Sequence, residues 1–276
     1  MAITASQVNE LRKATGAGMM DCKKALQEND GDMQAAIDYL RKKGQKISDK
    51  RSDRESNEGV VIALTSDDNK KGVVVELNCE TDFVAKNADF VALAEKFANV
   101  AMSNFPADKE ALLACELDGS TIKDVLLDNM AKIGEKIEIG NYATLEAENV
   151  VSYIHAGNKI GVLVGLTVGG DAASNAGKDA AMQIAAMNPM AVNKDGIAQE
   201  AIDRELEIAK EQILAEGKPE HMVEKIAQGK LGKFFKENTL LSQPFVKDSS
   251  MSVEKMLKSV DTNLTVTTFR RLGIGA

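Results

Sequence analysis

Asn69-Lys70-Lys71-Gly72-Val73-Val74-Val75 and Asn158-Lys159-Ile160-Gly161-Val162-Leu163-Val164 are two versions of one segment, and their likeness decides the architecture. Each begins at a turn, Asp67-Asp68-Asn69 in one and Ala156-Gly157-Asn158 in the other. Each is preceded by another β-rich run, Glu58-Gly59-Val60-Val61-Ile62 or Glu148-Asn149-Val150-Val151-Ser152. Turn residues between two such runs predict antiparallel hairpins, and repetition at a near-constant offset predicts a duplicated unit. The offset is 90 residues at Val60 and Val150 but 89 at Gly72 and Gly161, which predicts a second turn one residue shorter.

Helical patterns follow both hairpins: Phe90, Leu93, Ala94 and Phe97 in the first copy, Ala180, Ala181, Ile184 and Ala185 in the second. A third strand then closes each copy. Ile137-Glu138-Ile139 matches Leu264-Thr265-Val266 at an offset of 127, so the second copy should hold about 38 extra residues. They are expected over 189–229 as a helical hairpin. Ile202, Leu206, Ala209 and Ile213 form an apolar stripe, Gly217-Lys218-Pro219 turns the chain, and Met222, Val223 and Ile226 resume the stripe. Two such short helices cannot bury both apolar faces alone, so they should pair as an antiparallel coiled coil.

Ahead of the repeat, Thr4-Ala5-Ser6-Gln7 has the form of a capping box, with Val8, Leu11 and Ala14 at helical spacing behind it. Thr15-Gly16-Ala17-Gly18 interrupts, a second helix carries Met19, Cys22, Ala25 and Leu26, and Asn29-Asp30-Gly31 turns the chain. A third helix should bury Met33, Ala36, Ile37 and Leu40, with Gly44 as its stop. Residues 45–57 are charged without an apolar stripe and read as a linker. The fold class is therefore α+β: a three-helix unit over 1–44, a first core subdomain over 58–145 and a second over 146–276 with the hairpin inserted. Met19 and Met20 lie about 100° apart on their helix and cannot both point straight into one small core, so either both pack at its edge or at least one is exposed as an adaptable apolar contact.

The 276 residues carry a net charge of −8, which disfavours direct nucleic-acid binding. The basic stretch Arg41, Lys42, Lys43, Lys46, Lys50, Arg51 and Arg54 is interrupted by Asp49 and Asp53 and reads as a solvated helix end. Cys22, Cys79 and Cys115 are odd in number and widely spaced, as free thiols in a reducing compartment are. Met1-Ala2-Ile3-Thr4-Ala5-Ser6 lacks a charged n-region and an apolar h-region, and no apolar run approaches the ~18 residues of a membrane span. A cytoplasmic protein without membrane contact is expected.

Signatures of an enzyme are missing. His155 and His221 have no neighbours at metal-ligand spacing, no G-x-S-x-G elbow occurs, and no cofactor is expected. Ala172 to Asp179 superficially resembles a phosphate loop. Ala172 replaces its first glycine and Asp179 its metal-binding hydroxyl, so the stretch reads as a polar loop opening a helix.

Two segments resemble the signatures of the elongation factor Ts family: Leu11-Arg12-Lys13-Ala14-Thr15-Gly16-Ala17-Gly18-Met19-Met20-Asp21-Cys22-Lys23-Lys24-Ala25-Leu26 and Asn78-Cys79-Glu80-Thr81-Asp82-Phe83-Val84-Ala85. Ala131-Lys132-Ile133-Gly134-Glu135, the Tyr153 to Val164 hairpin and Gln243-Pro244-Phe245-Val246 add lesser matches. The resemblance implies a ubiquitin-associated-like N-terminal domain, a duplicated core and an inserted coiled coil. It implies a guanine-nucleotide exchange factor for elongation factor Tu, not an enzyme, alone or as a homodimer or 2:2 complex. By the same resemblance, the loop Thr81, Asp82, Phe83 and Val84 displaces the elements that hold Mg²⁺ against GDP. Ile133, Gly134 and His155 would line the surface facing the nucleotide domain, and Leu11, Arg12, Met19 and Met20 would make the N-terminal contact. Family members often carry a helix after the last core strand. Here the sequence reads Arg270-Arg271-Leu272-Gly273-Ile274-Gly275-Ala276, and a contact through that helix is not expected. Without the resemblance, Phe83 reads as a core residue just past a strand and Asp82 as a helix cap. A helical adaptor acting through residues 1–44 and an unrecognised hydrolase are the other readings.

Overall fold

The runs Val60-Val61-Ile62 and Val73-Val74-Val75 have no polar face, so strands built from them must be covered on both sides. The computed structural model describes residues 3–51 and 53–275. Met1, Ala2, Ser52 and Ala276, and the side chains of residues 47–50 with Lys50 of the basic stretch, lie outside the described residues. Helices α1 (Ala5–Thr15), α2 (Met19–Glu28) and α3 (Met33–Arg51) come first. The first lobe is β1 (Glu58–Thr65), β2 (Lys71–Cys79), α4 (Asp82–Ala85), α5 (Ala88–Asn104), α6 (Lys109–Ala114), β3 (Glu116–Leu117), β4 (Ser120–Thr121), α7 (Ile122–Ile133) and β5 (Ile137–Glu146). The second is β6 (Asn149–Ile154), β7 (Ile160–Leu166), α8 (Asp171–Met187), α9 (Gln199–Ala215), α10 (Glu220–Asn238), β8 (Pro244–Phe245), β9 (Asp248–Ser252), α11 (Val253–Val260) and β10 (Val266–Gly273).

The fold is the expected α+β duplication. Each lobe has an antiparallel three-stranded sheet with the same order, β1-β2-β5 and β6-β7-β10. Leu77 pairs with Ile139 as Leu166 pairs with Val266, which is the 127-residue offset expected for the third strand. Alternate residues face opposite sides. Val60, Ile62, Val73 and Val75 join α5 and α7 in one core, and Val151, Val162 and Val164 join α8 and α11 in another. Val61, Ala63, Val74, Val150 and Leu163 meet between the sheets. The molecule is thus layered helix, sheet, sheet, helix.

The two hairpins grip each other reciprocally. The Val61 N–H donates to the Asn158 carbonyl at 2.7 Å, and the Val150 N–H donates to that of Asn69 at 2.5 Å. Both asparagines sit in the left-handed region, at φ 55°. The sheets approach so closely that a Cβ on Gly72 would lie 2.8 Å from Val150 Cγ1, and one on Gly161 2.5 Å from Val61 Cγ1.

Four expectations are corrected. The first hairpin strand repeats at 89, not 90, because Val61 pairs with Glu76 as Val150 pairs with Gly165. A one-residue slip would exchange the two faces, and Val61 and Val150 both face the inter-sheet layer. The two turns therefore have equal length. Gly44 does not stop α3, which runs on to Arg51 through the first half of the expected linker. A Cβ there would lie 2.6 Å from the Leu127 carbonyl oxygen, so glycine admits the close crossing of α3 over α7. Residues 172–179 form the opening turns of α8, not a loop.

The fourth concerns the insertion. The helix faces repeat at an offset of 83, with Phe90, Phe97 and Ala101 matched by Ala173, Ala180 and Ile184. Between 83 there and 127 at the third strand the second copy gains 44 residues, which the six it lacks ahead of α8 bring to the expected net 38. They include α9 and α10, and α10 ends at Asn238, past the expected 229. Ala209, Ile213, Val223 and Ala227 bury one seam between those helices, forming the expected antiparallel pair. Thr4 and Gln7 form the expected capping box.

Adding a methyl at the sheet–sheet contact should overpack it by about 1–3 kcal/mol. Gly161→Ala is expected to lower the thermal midpoint by roughly 3–10 °C. Gly229→Ala, in α10 with open space at its Cβ, should not lower it. Circular dichroism melts of both variants check the contrast, and equal melts for Gly161→Ala and wild type would contradict it.

Candidate functional site

Beyond Cys79 and Ile137, the last backbone pair of β2 and β5, the two strands diverge, and side chains take over the ladder. Glu80 and Thr81 face Glu135 and Lys136. The Thr81 N–H donates to Glu135 Oε2 at 3.1 Å, and its hydroxyl donates to Glu135 Oε1 at 2.7 Å. Reciprocally, the Lys136 N–H donates to Glu80 Oε1 at 2.6 Å. Each carboxylate replaces a strand carbonyl for the opposite chain. The Cys79 thiol donates to the Thr81 carbonyl at 3.2 Å, and burial, reinforced by the Glu135 charge, pushes that thiol up to about 12, leaving it inert.

From this clasp the chain makes a single turn, α4, and then α5. Thr81 is its N-cap, accepting from the Val84 N–H at 3.4 Å, so the capping role expected of Asp82 falls to its neighbour. Asp82 occupies the first helical position and is half-buried. Its ion pair with Lys86, at 2.6 Å, holds its carboxyl below the usual range. Val84 and Ala85 turn inward to the first core. Phe83 has no such place and is 84% exposed, the most exposed of the large apolar side chains described.

This turn exists in one copy only. Leu77 is followed eleven residues later by α5 at Ala88, whereas Leu166 is followed five residues later by α8 at Asp171. The first copy thus holds six residues that the second lacks. Helix α7 is also longer than its counterpart α11, 12 residues against 8. Its last turn supplies Lys132 and Ile133, and Gly134 ends it in the left-handed region at φ 79°. The structure brings Ile133 and Val84 together around a cavity of about 90 Å³, also lined by Phe90 and Lys132. Lys132 borders a second depression with Arg12, and the Gly16 turn lies against its side chain. Met19 and Met20 are exposed at 54% and 73% at the start of α2. Leu11, expected on the contact surface, is instead fully buried among the three helices of the free chain and supports this face from within.

His155 is exposed at the start of the second hairpin turn, its Nδ1 3.1 Å from the Tyr153 hydroxyl. The Lys159–Glu58 ion pair holds that turn against the beginning of β1. Glu58 pairs with Cys79, so the turn lies at the sheet end from which the Phe83 loop departs. Sequence reasoning missed Glu80, Glu135 and Lys132. All three stand inside the quoted motifs with no role assigned to them, and the strand register that joins positions 81 and 135 was the signal available. Among the described residues, no cluster of three or more His, Cys, Asp or Glu could hold a metal ion, and no helix is long and apolar enough to cross a membrane.

A family model described as Elongation factor TS matches residues 80–276. The chain is similar, 55% identical over 273 residues, to the Elongation factor Ts of Christiangramia forsetii, the alignment covering 99% of each chain. It is 54% identical over 273 residues to that of Flavobacterium psychrophilum, again over 99% of each chain. To that of Chlorobaculum tepidum it is 44% identical over 285 residues, with the same coverage.

Glu80 gives the clasp a titration signature. Arg51, from the end of α3, lies 2.5 Å from one of its oxygens and Arg54 2.8 Å from the other. Burial opposes its charge, but the hydrogen bonds from Lys136, Arg54 and Arg51 outweigh it and hold the carboxyl from the ordinary 4.5 down to about 2. A depressed folded value contributes stability that is present above the unfolded value and lost as pH falls toward the folded one. Wild type should therefore lose more stability between pH 5 and about 2 than Glu80→Gln, which should be the less stable protein at pH 7. Urea titrations across that range check this, and parallel acid limbs would contradict it.

Proposed function

The chain belongs to the elongation factor Ts family, and on that premise we propose that it binds elongation factor Tu·GDP in the cytoplasm, disturbs its Mg²⁺ and phosphate site with Phe83, and promotes GDP release so that GTP can rebind. The observation that carries this reading is the exposure of Phe83 on a turn whose base is tied down. An isolated apolar ring in water gains by entering a partner, about 1.5–3 kcal/mol for full burial. Mg²⁺ demands near-ideal octahedral oxygen geometry, so a small displacement of the elements around it weakens its hold on GDP.

Magnitudes limit what the ring does alone. Each ~1.4 kcal/mol off a barrier is about tenfold in rate, so Phe83 supplies one to two orders of magnitude. The remaining binding energy comes from the same face. Met19 and Met20 offer adaptable apolar contacts and Arg12 a charged one. Ile133, Gly134 and His155 flank the loop. Asp82, half-buried beside the ring, repels phosphate or takes the place of a group that holds the metal, once released from Lys86. Thr81 and Val84 anchor the loop at either side of Phe83.

Exchange then follows from linkage. A factor that binds the nucleotide-free GTPase more tightly than the nucleotide-bound one weakens nucleotide binding by the same ratio. The chain makes and breaks no covalent bond. Release of fluorescent GDP from elongation factor Tu should be strongly accelerated by the intact protein, and an Asp82→Ala/Phe83→Ala double variant with an unchanged melting profile should lose at least about tenfold of that acceleration. Stopped-flow fluorescence measures both, and release unaffected by the intact protein would contradict the reading.

A further inference from the structure

The reading of Phe83 as the working residue leaves open what aims it. The ring sits two residues from Thr81, and Thr81 is gripped twice by one carboxylate, through its N–H at 3.1 Å and its hydroxyl at 2.7 Å. We propose that Glu135 is a positioning residue for nucleotide exchange, fixing the base of the Phe83 turn in its binding geometry before the GTPase arrives. This inference rests on the exchange reading above and extends it to a residue outside the loop.

Three observations carry it. The Glu135 contacts are charge-assisted hydrogen bonds, about twice as strong as neutral ones. They fall where the β2–β5 ladder has ended, at Cys79 and Ile137, so without them no backbone pair restrains Thr81 from that side. Glu135 is itself held in place. It follows Gly134, whose left-handed φ of 79° turns the chain out of α7, and precedes Lys136, whose N–H is bound by Glu80. Glu80 is tied in turn to Arg51 and Arg54. Thr81 is thus fixed to a frame built from α3, α7 and β5, while Phe83 projects from it.

The physical consequence concerns populations. A loop that is competent only part of the time binds with an apparent dissociation constant raised by the inverse of that fraction. Loss of one charge-assisted hydrogen bond changes such an equilibrium by about tenfold or more. Glu135 acts only through the loop it holds, so its contribution should vanish when the ring is gone.

A double-mutant cycle reads this directly, with the second-order rate constant for stimulated release of fluorescent GDP from elongation factor Tu as the observable. Phe83→Ala should lower that constant at least about tenfold. Glu135→Ala should lower it about tenfold in the wild-type background and under about twofold in the Phe83→Ala background. Glu135→Gln, which keeps one acceptor oxygen for Thr81, should fall between wild type and Glu135→Ala. Should Glu135→Ala not fold, Glu135→Gln serves in both backgrounds. The same loss in both backgrounds, or none in either, overturns the positioning role. A Phe83→Ala protein as fast as wild type overturns the exchange reading of the loop instead, so the two failures are distinct.

Discussion

Two hairpins close on each other through two hydrogen bonds and a shared apolar layer, and the rest of the chain is arranged around that contact. The Val61 N–H reaches the carbonyl of Asn158 and the Val150 N–H that of Asn69, each hairpin presenting its turn to the other's outer strand. The contact requires glycine at 72 and 161, where any Cβ would enter a valine of the facing sheet. Because the strands are apolar on both faces, covering the inner faces with each other leaves the outer faces for helices. The internal symmetry is therefore a consequence of burial: one packing solution is used twice.

What departs from the symmetry includes the loop proposed to act on the GTPase. The first lobe adds six residues between β2 and α5, and a further turn at the start of α7, whose end coincides with that of α11 at the 127-residue offset. The six residues depart from the Thr81–Glu135 clasp, which converts the frayed end of a strand pair into a rigid base. The second lobe adds the α9–α10 hairpin, which buries one seam between its own helices. A symmetric scaffold sets the geometry and supplies the exposed His155 turn, one unpaired insertion projects Phe83, and the N-terminal helices expose Met19 and Met20.

Much of this was legible from residues whose local chemistry has one outcome. The capping box at Thr4 and Gln7 formed as written, and the asparagines of both turns adopt the left-handed conformation their positions call for. The repeat was legible, but its register was not. Val60-Val61 and Val150-Val151 are interchangeable as letters, and only the facing sheet distinguishes which valine points inward. Gly44 resembled a helix stop because a glycine after an apolar stripe usually is one. Its reason, the Leu127 carbonyl across the helix crossing, is a tertiary contact. Leu11 was assigned to a contact surface by its motif and lies in the core. Phe83 after a strand reads as core on its own, and its exposure follows from a six-residue excess visible only once α5 and α8 are aligned. The clasp joins residues 54 positions apart and depends on strand register, which no local pattern encodes.

The central claim is that an exposed ring on a tethered turn leaves water for the nucleotide domain of a translational GTPase. A structure of the complex with nucleotide-free elongation factor Tu tests it most directly. Phe83, 84% exposed in the free chain, should be buried against the GTPase beside its Mg²⁺ and phosphate site, with Thr81 still bound to Glu135. A complex in which Phe83 remains in solvent, or packs within its own lobe, would contradict the claim.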